Sequence, residues 1–495
     1  MNLKEKVAEI KEYIKEMNKL NQALTLAYWD MQTEMPKNAV DSRSELVQYL
    51  SGKLYEMQTS DKVMELINEI KPFEGGLSVV EKRMIEELAR AYDETNKIPQ
   101  DRYIEYVGLC SKSEKAWEEA KEKNDFNIFK PYLKQVIDFQ KEFIEYWGYE
   151  DCKYDTLLDK YERGLKVKDL DIIFKDLRDG IIDILNKVKN SPDNVKGDFL
   201  IGNFDKDKQK DLSISVLKTM GFNFDSGVIA ESVHPFTTEL CNKDVRITTN
   251  YLNKDITSAL YSSIHEGGHA IYEQNISDDL INTGLETGVS MGIHESQSRF
   301  YENIIGRSRE FCAFVLPEIQ KRFSSFKNVS LDDYYRAVNY IEPSLIRTEA
   351  DELTYALHVI IRYEIEKELI NGEVDIEKLP ELWNKKYKEY LGVEPGNDAE
   401  GILQDMHWSD GSFGYFPSYA LGNLYGAQMY YKLLSEQPNV MHKIEKGDFS
   451  ELNNWLKEKV HKHGSVYKPG ELIKNITGEE LNSKYFLKYL REKYL

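Results

Sequence analysis

Apolar side chains recur at three- and four-residue steps over most of the chain, the spacing of one face of an α-helix. Between Leu3 and Leu26 the series Val7, Ile10, Tyr13, Ile14, Met17 and Leu20 marks such a face. Similar series predict helices over 99–122, 126–147, 167–189, 207–219, 255–276, 290–322, 331–370 and 376–390. Ser78, three residues before Glu81, forms a capping box in front of "VEKRMIEELARAYDE". The last third also has a helical pattern, interrupted at "SDGSFGYFPS". Extended signals are few. "DFLIGNF" (198–204), "ESVHPFTTEL" (231–240) and "DVRITTNY" (244–251) predict one small sheet.

Pro, Asn and Gly cluster in "KNSPDNVKGD" (189–198), the clearest loop. It either joins an N-terminal helical region, about 1–190, to a motif-bearing region, about 198–495, or is a surface loop in one continuous fold. Length by itself favours about three domains. The lack of linkers favours a single domain over 1–495, a mainly helical body with two lobes.

Charge and cysteine usage narrow the function classes. Lys plus Arg is 65 and Asp plus Glu is 85, a net charge of −20, which argues against nucleic acid or an anionic membrane as partner. With 41% hydrophobic and 12% aromatic residues the chain is not a solvated, disordered one. Cys110, Cys152, Cys241 and Cys312 are far apart and form no CxxC, so buried thiols in a cytoplasmic protein are expected rather than a disulfide framework. "MNLKEKVAEIKEYIKEMNKL" has no apolar signal core, and no apolar run approaches the ~18 residues of a membrane span.

The chemistry concentrates in "SSIHEGGHAIYEQ" (262–274). Positions four apart lie on one helix face, so His265 and His269 project together and can share a metal ion. Glu266, rotated around the helix, can reach a water on that ion without coordinating it, the arrangement of a zinc-dependent hydrolase. Gly267 and Gly268 each cost roughly 1 kcal/mol relative to Ala inside a helix. Their use is the close approach of a strand, a substrate or a second helix. The bland alternative, two histidines and a glutamate on a solvated face, has a chance of roughly one in a hundred. A third ligand is sought downstream among Glu273, Asp278, Asp279, Glu286 and Glu295. Glu295, in the helical run "GVSMGIHESQSRFYENIIG", is preferred over Glu286, which sits in the glycine-flanked loop "NTGLETG". His294 is a rival ligand or a partner behind the ligands, although a lone histidine of this kind is more often simply packed.

Several stretches together resemble the thermostable carboxypeptidase family, the Taq carboxypeptidase-like metallocarboxypeptidases. They are "HPF" (234–236), "DVRIT" (244–248), "HEGGH" (265–269), "HESQ" (294–297), "IRTEAD" (346–351) and "GILQDMHW" (401–408), with "YWDMQTEMP" (28–36) similar to that family's N-terminal region. The resemblance implies a mainly helical fold with a deep central groove, related to neurolysin-like and angiotensin-converting-enzyme-like peptidases. It implies a metal held by His265, His269 and Glu295, with Glu266 as the catalytic carboxylate. It further implies release of single residues from peptide C-termini with broad specificity, a homodimer, and zinc as the metal, with cobalt able to substitute.

The remaining motif residues receive roles by their chemistry. Capture of a free C-terminus suits a guanidinium, which contacts a carboxylate at two points. Arg347 is the first choice and Arg246 the second. The competing explanation for each is a structural ion pair, with Asp351 or Asp244 as the local partner. His407 and either Tyr415 or Tyr419 are candidate donors to the developing oxyanion. His234 lines the groove or makes a structural turn, and Gln404 and Asp405 orient neighbours. Glu349 is expected on an exposed helix face, His358 in the core, and His442, His461 and His463 at the surface. "LNQALTLAYWDM" is expected to be core, with dimer contact a minor alternative. The reading is a metallocarboxypeptidase acting on peptides with a free C-terminus. The alternatives are an oligopeptide endopeptidase or dipeptidase using the same site, and an inactive helical binding protein with a structural metal.

Overall fold

The computed structural model describes residues 3–495. The fold is mainly helical with one three-stranded sheet, as the periodicity predicts. The N-terminal helix runs from Leu3 to Gln32, and the Ser78–Glu81 capping box opens the helix Val79–Asn96 with both reciprocal bonds present. Among the described residues no helix is long and apolar enough to cross a membrane.

The sheet has the order β1 (Gly227–Glu231), β3 (Asp244–Thr249), β2 (Thr237–Cys241). β1 runs parallel to β3 and β2 antiparallel, with Thr237 opposite Ile247 and Thr238 opposite Arg246. Val245 and Ile247 are buried, so Arg246 between them faces the other way. Two expectations are corrected here. Residues 231–240 are not one strand, since the "VHPF" segment turns between β1 and β2. Residues 198–204 lie outside the sheet: 198–200 form a single 3₁₀ turn, and Gly202 and Phe204 donate to the carbonyls of Lys254 and Asn253.

Two long helical expectations also break. The run 290–322 divides into the α-helix Met291–Arg299, a π-helical segment Phe300–Ile305 and the α-helix Arg309–Arg322, whose first turn is capped by Ser308. The run 331–370 divides into Leu331–Val338 and Tyr355–Asn371. Pro343 explains the second break, because it lacks an N–H and disfavours helical backbone at the preceding residue. "IRTEAD" therefore lies in the connection, with only a 3₁₀ turn at Arg347–Glu349.

The motif helix, Ile256–Gln274, begins at Asp255, whose carboxylate accepts from the N–H groups of Thr257 (2.8 Å) and Ser258 (3.3 Å). It lies between the helix Lys206–Met220 and the glutamate helix Met291–Arg299. The two glycines occupy those contacts. A Cβ on Gly267 would stand 2.4 Å from Leu217 Cδ2, and one on Gly268 2.7 Å from the carbonyl oxygen of Gln297 and 2.8 Å from Ser298 Cα. On its other side the glutamate helix meets the helix Pro417–Glu436, where a Cβ on Gly422 would fall 2.6 Å from Glu295 Cγ.

One large core unites these helices with most of the chain from Ile98 to Leu490. A smaller core joins Val7, Ile10 and Ile14 of the N-terminal helix to Val63 and Ile67, and to Leu280, Leu285 and Val466.

The helix spacing makes a stability prediction. Gly268→Ala sets a methyl against backbone that cannot swing away, and should lose about 1–3 kcal/mol. Gly52→Ala, in the helix Val40–Gln58 where a Cβ meets nothing within 4 Å, should gain about 0.5–1 kcal/mol. Denaturant melts of the two variants read both changes. Equal effects would contradict the close approach at Gly268.

Candidate metal centre

His265, His269 and Glu295 present ligand atoms that lie within 4.8 Å of one another. Glu295 Oε2 is 3.7 Å from His265 Nε2 and 3.5 Å from His269 Nε2. A tetrahedral ion with bonds of about 2.0–2.2 Å separates its ligands by roughly 3.3–3.6 Å, so the set has the spacing such an ion needs. Two imidazoles and one carboxylate also make the donor set of a catalytic zinc site.

The groups behind these three fix which nitrogen faces the ion. His265 Nδ1 donates to Glu302 Oε2 at 2.8 Å, which leaves Nε2 as the lone-pair atom. His294 Nε2 donates to Glu273 Oε1 at 2.8 Å, so its Nδ1 accepts from His269 Nδ1 at 2.5 Å. That again leaves Nε2 of His269 free to coordinate. Glu295 Oε1 accepts from Arg299 Nε at 2.7 Å and its Oε2 from Ser298 Oγ at 3.2 Å. Arg299 also reaches Glu302 at 3.3 Å. Glu295, Arg299 and Glu302 thus share one face, with Glu302 carried by the π-helical segment.

The electrostatics suit a cation. Burial works against the charge on Glu295, but Arg299 and the two imidazoles outweigh it and hold the carboxyl well below its usual range. Burial likewise opposes ionisation of Glu302, yet Arg299 and His265 bring it down to about 2. Burial lowers His269 to about 3, leaving a neutral imidazole. Burial opposes protonation of His265 too, but Glu295 and Glu302 hold it up at about 9. A divalent ion competes for the position of that proton, as metal binding to histidine commonly releases one.

Glu266 is buried beside the three, and Thr237 Oγ1 donates to its Oε2 at 2.6 Å. Thr237 belongs to β2, so the edge of the sheet aims this carboxylate. Burial raises the affinity of Glu266 for a proton. Glu266, the three clustered residues, Thr237, Tyr415 and Tyr419 line a cavity of about 560 Å³. It shares Arg90, Arg163, Thr287, Gly288 and Val289 with a neighbouring cavity of about 470 Å³, so the two form one groove.

The other motif residues take varied places. Tyr415 and Tyr419 stand edge to face at 5.1 Å, and burial pushes Tyr415 up to about 12, which keeps its hydroxyl a donor. His407 stacks on Tyr415 at 5.7 Å, and burial lowers it to about 4. Arg347 is buried and bonded to Asp405, Nη2 to Oδ1 at 2.9 Å and Nε to Oδ2 at 3.1 Å, while Nη1 donates to Tyr355 Oη at 2.9 Å. Its ionic partner is therefore Asp405 and not the nearby Asp351. Asp351 instead accepts from the backbone N–H groups of Thr354 and Glu342 at 2.8 and 3.1 Å. Gln404 Oε1 accepts from the backbone N–H of Arg347 at 2.9 Å. Arg246 pairs twice with Asp244 at 2.8 Å and lies over Trp29, which in turn packs on Phe236. His234 is exposed, and its carbonyl accepts from Ser232 Oγ at 2.6 Å.

Glu286 closes its own loop by accepting from the N–H groups of Asn282 and Thr283. His358 is buried beside Tyr387, Glu349 is exposed, and so is His442. His461 corrects the sequence reading. Its charged flanks suggested the surface, but it is fully buried, with Nε2 3.0 Å from Gln297 Oε1 and its ring 5.1 Å from Tyr272.

Sequence reasoning missed Thr237, Arg299 and Glu302, and weighed Glu273 only as a third ligand where it instead holds His294. The spacing Glu295, Arg299, Glu302 was a readable signal, because steps of four and seven keep one helical face. Thr237 had none, since only the folded sheet brings it to Glu266.

The profile of the carboxypeptidase Taq (M32) metallopeptidase family matches residues 9–494. The chain is 49% identical to carboxypeptidase 1 of Bacillus subtilis (strain 168) over 487 residues, covering 98% of this chain and 97% of the relative. It superposes on a Pyrococcus furiosus carboxypeptidase structure with a TM-score of 0.97 at 36% identity, covering 100% of this chain and 99% of that one. Trypanosoma cruzi metallocarboxypeptidase 1 gives 0.93 at 34% identity, covering 100% of both chains.

Glu302→Gln keeps the shape of that side chain and removes its charge from His265. It should weaken divalent-ion affinity by about 10–100-fold in a chelator competition. Unchanged affinity would show that Glu302 does not support the ion site.

Proposed function

The chain belongs to the carboxypeptidase Taq (M32) metallopeptidase family, and from that premise we propose that it releases single residues from peptide C-termini with broad specificity, using Glu266 as general base and acid. The family is one of metal-dependent carboxypeptidases, so the chain is a peptide hydrolase with a divalent metal. The observation that carries the finer reading is the meeting of Glu266 and the His265, His269 and Glu295 cluster in one cavity.

A divalent ion held by His265, His269 and Glu295 supplies a Lewis acid that acidifies water and polarises a carbonyl. The donor set favours Zn²⁺, with Co²⁺ able to substitute. Glu266 takes the proton of the attacking water and returns it to the leaving amine, held in line by Thr237. Tyr415 or Tyr419, with His407 behind them, donates to the developing oxyanion. Arg347 uses one hydrogen of each terminal nitrogen on Asp405 and Tyr355, so each keeps a second. Arg347 lies over the ring of Tyr419 at 4.9 Å, behind the cavity lining, and those hydrogens would hold a terminal carboxylate that passes this tyrosine. Gln404 and Asp351 shape its loop through the backbone. Arg246 and His234 sit on the sheet and its turn outside the cavity lining, and would act on substrate through Phe236, which lines it and on which Trp29 packs beneath Arg246.

We also take residues 1–495 as one catalytic domain, acting as a homodimer in the cytoplasm. The family resemblance supports the dimer, and the four free cysteines suit a reducing compartment.

Matched peptides, free or amidated at the C-terminus, test this reading by mass spectrometry. The free form should lose single C-terminal residues and the amidated form none. Equal cutting of both forms would favour the endopeptidase alternative, and action on dipeptides alone the dipeptidase. Glu266→Gln should lower turnover by about 10²–10⁴-fold with the metal retained. Undiminished turnover would remove Glu266 from the chemistry.

A further inference from the structure

Lys160 lies at the end of the helix Lys153–Tyr161 and lines the same cavity as His265 and Glu266. Its neighbours in sequence fix it there. The ring of Tyr161 packs on Tyr415 at 5.2 Å. Glu162 is buried and accepts from the backbone N–H of Gly292, in the glutamate helix, at 3.1 Å and from Tyr425 Oη at 2.7 Å. The segment is therefore tied to the helix that carries Glu295 and to a tyrosine of the groove.

The cavity has three lysine or arginine side chains in its lining, and two are already neutralised. Arg90 pairs with Glu94 at 2.7 Å and Glu87 at 3.7 Å, and Arg163 pairs with Glu87. Among the described residues Lys160 has no carboxylate partner. Its side chain is exposed and lines both that cavity and an adjoining one of about 530 Å³, where its ammonium stands 3.5 Å over the ring of Trp147. The surrounding protein withdraws water from it and lowers its pKa to about 8, so it remains a cation at neutral pH. An ammonium held over an aromatic face without an ion-pair partner is placed to meet an incoming anion.

We propose that Lys160 is a substrate subsite whose ammonium takes a carboxylate of the bound peptide. The inference rests on the carboxypeptidase reading for the identity of the ligand as a peptide. Two carboxylates have the right chemistry, that of an acidic side chain and that of the C-terminus. Arg347 already offers a two-point edge for the terminus, so the side chain of an Asp or Glu residue is the favoured source. Lys160 then biases an otherwise broad specificity towards acidic peptides.

Binding measured on the full-length, metal-loaded Glu266→Gln protein separates this subsite from turnover. Calorimetry would compare that protein with versions also carrying Lys160→Met, which keeps the length of the side chain over Trp147, or Lys160→Arg, which keeps the charge. The probes are peptides bearing Glu or Gln at successive positions, each with a free or an amidated end. Lys160→Met should weaken binding of Glu peptides by about tenfold, leave the Gln peptides unchanged, and be rescued by Lys160→Arg. A tenfold loss on all free-ended peptides and none on amidated ones would assign the contact to the terminus, still as a carboxylate subsite. Equal affinities throughout, a loss indifferent to peptide charge, or no binding of any peptide would overturn the proposal. The carboxypeptidase reading fails separately, if wild-type protein releases no C-terminal residue from peptides that bind.

Discussion

The contact between the motif helix and the glutamate helix sets everything downstream. Gly268 lets the backbones meet, where any larger residue would press on the carbonyl of Gln297. Gly422 does the same from the far side, directly against Glu295. The glutamate helix is thereby held between two glycine contacts, and Glu295 arrives 3.5 and 3.7 Å from the two imidazole nitrogens. Glycine inside a helix is locally unfavourable. Here that local cost is offset by the geometry of a three-residue site that no single helix can supply.

Charge balance is the second constraint. Glu266 and Glu295 are buried, with Glu302 and His265 half-buried beside them, and Arg299 answers two of the three carboxylates. Burying carboxylates without partners is strongly unfavourable. Arg307 also reaches Glu302 at 3.6 Å, and a proton on His265 completes the balance, a proton whose place a divalent ion would take. The same logic recurs at Asp405, shared between Arg347 and the fully buried Arg362. In that second cluster the ions are provided by the protein itself, which suits a scaffold for substrate more than a site for metal.

Much of this was legible in the chain. A histidine pair four apart with a following glutamate lies within one helix, and helical spacing is a local property that sequence displays directly. The division of 331–370 was signalled by Pro343 but masked by the apolar periodicity on both sides. Partners set by tertiary structure were not legible: Arg347 meets Asp405, 58 residues away, where the neighbouring Asp351 looked sufficient. His461 was misread because its charged neighbours point outward while its own ring fills a space between Gln297 and Tyr272. Thr237 and Lys160 carry no sequence signal, because each acquires meaning only from the cavity it faces.

Anomalous diffraction at the metal absorption edge, from crystals of the metal-loaded protein, tests the central claim most directly. The account predicts one peak per chain, about 2.0–2.2 Å from Nε2 of His265, Nε2 of His269 and a carboxylate oxygen of Glu295. A peak that Glu295 does not touch, or an ion held elsewhere with this trio bare, would contradict it.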